Sequence, residues 1–165
     1  MYYYHMVFNY VKINNPAIFG LIYSGGLLII ALAFQYFEKL IPCQMCLWQR
    51  WPHIAIIIFC ILLIISQKYL KIFLLLLILL AFTSAAIGFW HSGVELGIFN
   101  APGSCSSLSS NTIATLQELL DKPVVGCDII VWSFLGLSMT NWNTLLSLIE
   151  TFVLIYLSFI KKIKY

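Results

Sequence analysis

Charge is what this chain has least of: only 9% of its 165 residues are Asp, Glu, Lys or Arg. The formal net charge of +3 is carried by too few groups to line a nucleic-acid groove, so nucleic acid is not an expected partner. A phosphate-cradling glycine loop, an internal repeat and a low-complexity tract are also missing. What replaces them is apolar. At 62% hydrophobic residues and a mean hydropathy of +0.96 the chain is too greasy for a soluble globule, and a bilayer is its natural solvent. Residues 1–165 are read as a single integral membrane domain.

Four apolar segments are long enough to cross a hydrocarbon core, which takes roughly 20 helical residues. They run over Ala17–Phe37, Arg50–Ile65, Leu70–Trp90 and Thr144–Ile160, with Pro52 expected in the first turn of the second. The expected fold class is therefore an all-α membrane protein built as a four-helix transmembrane bundle. Lys12, Lys68, Lys71, Lys161, Lys162 and Lys164 fall on one side of such a bundle, which makes that side and both termini cytoplasmic. The segments 38–49 and 91–143 then face outward. Ala31-Leu32-Ala33 resembles a signal-peptidase site, but the apolar run continues past it to Phe37, so an uncleaved span is preferred. The aromatic stretch Met1–Tyr10 is expected at the membrane interface. In the longer outward segment Ile113, Leu116, Leu119 and Leu120 share one helical face, with Asn111 or Thr112 as cap and Pro123 as stop. That pattern predicts a short surface helix.

Of five cysteines, four lie in the outward segments and one, Cys60, lies mid-span as a small buried hydrophobe. Cys43-Gln44-Met45-Cys46 stands just before the second span, where a helix N-terminus stabilises a thiolate and two thiols can close a small ring. A structural zinc site would want a second tight pair beside Cys105 and Cys127, and a haem attachment motif would want His where Leu47 stands. Redox chemistry is the preferred reading, with no metal expected. Cys105 and Cys127 read either as a staple of the outer loop or as a second exchanging pair. Arg50, four residues after Cys46, is either a headgroup anchor or a group that steadies the Cys46 thiolate and donates to a quinone carbonyl. His91 and Glu95, one turn apart, are either a quinone-binding pair or a solvated boundary pair. His53 either lines the same pocket as Arg50 or is simply packed.

The stretch Pro42-Cys43-Gln44-Met45-Cys46-Leu47-Trp48-Gln49-Arg50 resembles the Cys-x-x-Cys and Gln-Arg segment of the DsbB family of membrane disulfide-bond oxidoreductases. Gly126-Cys127-Asp128, Trp132–Met139 and Trp142 are similar to the family's approach to its fourth span, and the likeness covers most of Ala17–Ile160. The resemblance implies a bacterial inner-membrane enzyme with its cysteine loops in the periplasm. It implies that Cys105 is attacked by a DsbA-like dithiol partner, that Cys127 engages Cys43, and that Cys46 is released beside a quinone (ubiquinone or menaquinone) held near Arg50. Trp48 and His53 match no family role, and Ser104–Asn111 is unusually rich in serine.

Two other readings stay open at this point. A vitamin K epoxide reductase relative would also have a four-helix core and two cysteine pairs, but in the opposite order along the chain. A membrane metal-handling protein would use the outward thiols as ligands.

Overall fold

The computed structural model describes residues 2–65, 69–102, 105 and 126–163, with side chains described between 16 and 159. It is the expected all-α bundle: α1 (Tyr2–Tyr36), α2 (Gln44–Ile65), α3 (Leu70–Glu95) and α4 (Met139–Ile163), each containing a segment long and apolar enough to cross a membrane. The surface helix expected between Asn111 and Pro123 lies outside the described residues.

The bundle is apolar outside and partly polar inside. Ile22, Ile29, Ile65 and Phe152 are each at least 67% exposed, an arrangement that water penalises and a lipid tail does not. Buried within are Ser24, Gln49, His53, Ser84, His91, Ser147 and Glu150. Below them Ala17, Ile56, Cys60, Leu63, Leu77 and Leu154 form a closed apolar layer, with Cys60 packed against Gly20. Helices α1–α2, α2–α3 and α3–α4 pack along one another, whereas α1 and α4 meet only sparsely. A side opening is left between those two.

Helix α1 begins at Tyr2, well ahead of the expected Ala17, and three further helix ends differ from the sequence expectation for a local cause. Helix α2 begins at Gln44, six residues ahead of Arg50, because the Cys43 sulfur accepts the Cys46 amide at 3.2 Å and so occupies the N-cap position that an Asp or Ser oxygen usually fills. Pro52 therefore lies inside α2 rather than in its first turn. Helix α3 runs past Trp90 to Glu95 and stops in a Schellman motif: Ile98 N–H donates to Gly93 O at 2.8 Å, Gly97 N–H donates to Val94 O at 3.0 Å, and Gly97 takes a φ of 69°. Helix α4 starts at Met139, five residues before Thr144, because Ser138 Oγ accepts the Asn141 amide at 3.2 Å.

Before α4 the chain makes a small hairpin, β1 (Ser133–Phe134) with β2 (Leu137–Ser138), antiparallel in the register Ser133↔Ser138. Its turn residues Leu135 and Gly136 both have positive φ, 54° and 79°, which matches the twist of a two-residue hairpin. The hairpin carries Trp132 and Phe134 toward α1 and α4: Trp132 packs on Phe34 and Phe134 on Trp142.

Gly88 lets α3 approach α4, since a Cβ there would strike the Thr144 side chain and lie 3.3 Å from its amide nitrogen. Gly88→Ala is expected to cost about 1–3 kcal/mol through overpacking. The check is the thermal unfolding midpoint in detergent, which should fall for Gly88→Ala and hold for Gly25→Ala, where nothing lies within 4 Å.

Candidate active site

The start of α2 and the end of α3 converge with Cys105 and Cys127 on one buried cluster of Cys43, Met45, Val94, Cys105 and Cys127, flanked by Cys46, Trp48 and Ala101. The four cysteines other than Cys60 are therefore in one place. Cys105 and Cys127 are joined as a disulfide with Cα atoms 5.4 Å apart, supported by the Cys127 amide donating to Cys105 O at 2.9 Å. Cys43 and Cys46 are thiols with sulfurs 2.8 Å apart.

His91 joins the two pairs. Its Nε2 lies 3.6 Å from Cys43 Sγ and 3.2 Å from Cys127 O, and a carbonyl only accepts, so Nε2 carries the proton. Nδ1 then accepts from the Gln49 amide at 2.9 Å. Glu95 accepts from the hydroxyls of Thr140, at 2.7 Å, and Ser138, fixing the start of α4 against the end of α3. At 2% exposure His91 is no solvated boundary residue. His91 is not among the residues lining the cavity beside Arg50, and its Nε2 meets the Cys43 sulfur instead.

The same neighbours set the acidity of Cys43. The hydrogen bond from Cys46 pulls its thiol down to about 5, the His91 ring and the Cys46 amide add to the effect, and burial opposes it. These neighbours favour the thiolate form of Cys43, the species that attacks and leaves in disulfide exchange.

Arg50 faces α1. It donates to Gln35 Oε1 at 2.5 Å and to Ala31 O at 3.4 Å, which commits part of its five-donor fork. It shares a cavity of about 60 Å³ with Cys46, Gln49, His53, Thr140 and Asn143. Leu27, Ala31, Met139 and Asn143 also wall a neighbouring groove of about 300 Å³, whose other sides are mainly Phe34, Trp132, Phe134 and Trp142. That groove lies in the gap between α1 and α4.

Sequence reasoning places the four sulfurs, Arg50 and His53 near one another but misses Glu150. This carboxyl is fully buried in α4, 3.6 Å from His53 Nδ1. The signal is present in the sequence: an acidic residue inside the fourth span is costly unless it has a use.

Two sulfur pairs meeting at the end of a membrane bundle, with a stabilised thiolate between them, define a site for thiol–disulfide exchange. Comparison with known proteins agrees. Residues 14–157 match the model of the family described as disulfide bond formation protein DsbB. Disulfide bond formation protein B of Xylella fastidiosa is 33% identical over 75% of this chain and 77% of its own length, and that of Pasteurella multocida is 31% identical over 87% and 86%. An uncharacterized protein of Rickettsia prowazekii is 28% identical over 87% and 88%. The chain belongs to the DsbB family and is a multi-pass membrane oxidoreductase of disulfide bond formation. The vitamin K epoxide reductase reading is set aside by that assignment.

In a Cys60→Ala background, ultraviolet thiolate absorption should disappear as pH falls through about 5. Cys46→Ala, which removes the largest cause, should move that inflection upward further than His91→Phe does.

Proposed function

We propose that this protein reoxidises a soluble DsbA-like dithiol partner and passes the two electrons to a membrane quinone. The observation that carries the reading is the approach of the two pairs: Cys43 Sγ, a ring nitrogen of His91 and Cys127 Sγ all lie within 4.8 Å of one another. A partner thiolate attacks Cys105 and releases Cys127. Cys127 attacks Cys43 of the oxidised Cys43–Cys46 pair and releases Cys46, which borders the Arg50 cavity. The exchange is reversible along the same line of sulfurs, so the arrangement in hand, with the disulfide on Cys105–Cys127, belongs to the same path.

The residues around Arg50 fit a quinone. A ring with two carbonyl oxygens and an isoprenoid tail needs a cationic donor, a flat aromatic slot and access from lipid, and Arg50, the Phe34–Trp132–Phe134–Trp142 groove and the α1–α4 gap supply them. When bound, a quinone supplies a sink for two electrons and two protons. Arg50 orients a carbonyl and opposes developing negative charge, Gln49 holds His91 toward Cys43, and Met139 and Leu27 exclude water. The lysine distribution supports an inner-membrane setting with cytoplasmic termini and periplasmic cysteines.

The proximity of Cys43, His91 and Cys127 is also what a metal-handling reading would need. Cys127 is engaged in its disulfide, which leaves that set one ligand short, and exchange chemistry is the better account.

Purified protein given a reduced DsbA-like dithiol and a quinone should form quinol. Alanine at Cys43, Cys46, Cys105 or Cys127 should abolish turnover, and Cys60→Ala should retain it; full activity without Cys43 and Cys46 would end the proposal. Arg50→Met should raise the quinone KM at least about 10-fold, in line with the roughly 1.5–3 kcal/mol of a charge-assisted hydrogen bond.

A further inference from the structure

Beneath the Arg50 cavity lies a polar chain that the sulfur relay does not use. His53, one of the cavity's wall residues, is 2% exposed and makes contacts on both ring nitrogens. Its Nδ1 lies 3.0 Å from Ser24 Oγ, and Ser24 in turn donates to Glu150 Oε1 at 2.6 Å. Its Nε2 lies 3.0 Å from Ser84 Oγ, which also receives Ser147 at 3.1 Å and Asn143 at 3.4 Å. With the Ser24 proton given to Glu150, Ser24 accepts from His53 Nδ1–H, so Glu150, Ser24 and His53 form one continuous wire ending at the cavity.

The other Glu150 oxygen, Oε2, is buried without a hydrogen-bond partner and faces His53 Nδ1 at 3.6 Å. A lone charge at this depth is prohibitive, but the neutral pair and the imidazolium–carboxylate pair are both uncharged overall. They differ only in where one proton sits. Among the described residues the titratable groups facing this pair are Tyr23 from α1, Cys60 from α2 and, across the cavity from His53, Arg50 and Cys46 from α2; α3 presents the hydroxyl of Ser84. Toward the other end of the bundle the layer of Cys60, Leu63, Leu77 and Leu154 is fully buried and apolar, and among the described residues the wire meets the cavity at His53.

We propose that His53, Ser24 and Glu150 are a proton reservoir for the Arg50 cavity. The inference rests on the quinone reading above. As the cysteine thiols become a disulfide they lose two electrons and two protons, and an acceptor of the quinone class gains both. From the imidazolium–carboxylate form, in which Glu150 has passed its proton through Ser24, His53 gives one proton to the cavity as a proton from the thiols takes its place, so the pair never carries a net charge, and the thiols supply the acceptor's second proton directly. The reservoir is unchanged after each cycle, and no proton crosses the membrane.

Infrared spectra of the full-length protein in phosphatidylcholine nanodiscs, free of quinone, provide the first test. Glu150→Gln identifies the Glu150 carboxyl band by its loss. Ser24→Ala, a small truncation that keeps both titratable groups, and His53→Gln should each displace that band; a band blind to both overturns the wire. The second test uses dithiothreitol as donor and decylubiquinone as acceptor. His53→Gln and Glu150→Gln should slow quinol formation about 100-fold, as loss of a general acid does. Reduction of Cys105–Cys127 by dithiothreitol should keep its wild-type rate, which also reports that the variants are folded. Quinol formation at the wild-type rate in both variants overturns the reservoir alone. A wild-type protein that passes no electrons to decylubiquinone overturns the quinone reading and the reservoir with it.

Discussion

A sulfur sits where the first turn of α2 needs an oxygen, and the rest of the site depends on that substitution. Because Cys43 Sγ accepts the Cys46 amide, the helix starts at Gln44, Cys46 comes round to face its partner, and Gln49 and Arg50 point to opposite duties on the same helix. The positive end of the helix favours the anionic form of the capping group. One local hydrogen bond therefore starts the span and orients the dithiol, and it adds a small part to the acidity that the Cys46 thiol gives Cys43.

Around that start the bundle separates sulfur chemistry from the apolar cavity. His91 stands on the sulfur side, with its ring fixed by Gln49 and the Cys127 carbonyl. His53, one turn further along α2 from Gln49, stands under the cavity and leads to the interior carboxyl. Cys46 borders both regions. Packing between α3 and α4 is tight enough to need Gly88, whereas α1 and α4 stay apart and leave the aromatic groove between them.

Much of this is legible in the amino-acid sequence alone. Span length, the Cys43–Cys46 spacing and the position of Arg50 are local properties, and local periodicity reports them well. The start of α2 is not legible, because Pro52 is a strong first-turn signal and nothing in a sequence says that a cysteine will cap. The hairpin preceding α4 is hidden because Leu135 is an unusual residue for positive φ. The roles of His91 and His53 depend on hydrogen-bond partners 29 to 94 residues away in sequence, and Ser24 is bonded on to Glu150 across 126. Only packing brings those together.

Trp48 lies against the cysteine cluster, with its ring 6.3 Å from that of Trp90. An excited indole readily loses an electron to a neighbouring disulfide and far less readily to a pair of thiols. The tryptophan that matched no family role is thereby a built-in lamp whose brightness follows the redox state of the sulfurs beside it, letting single turnovers be watched without attaching a dye.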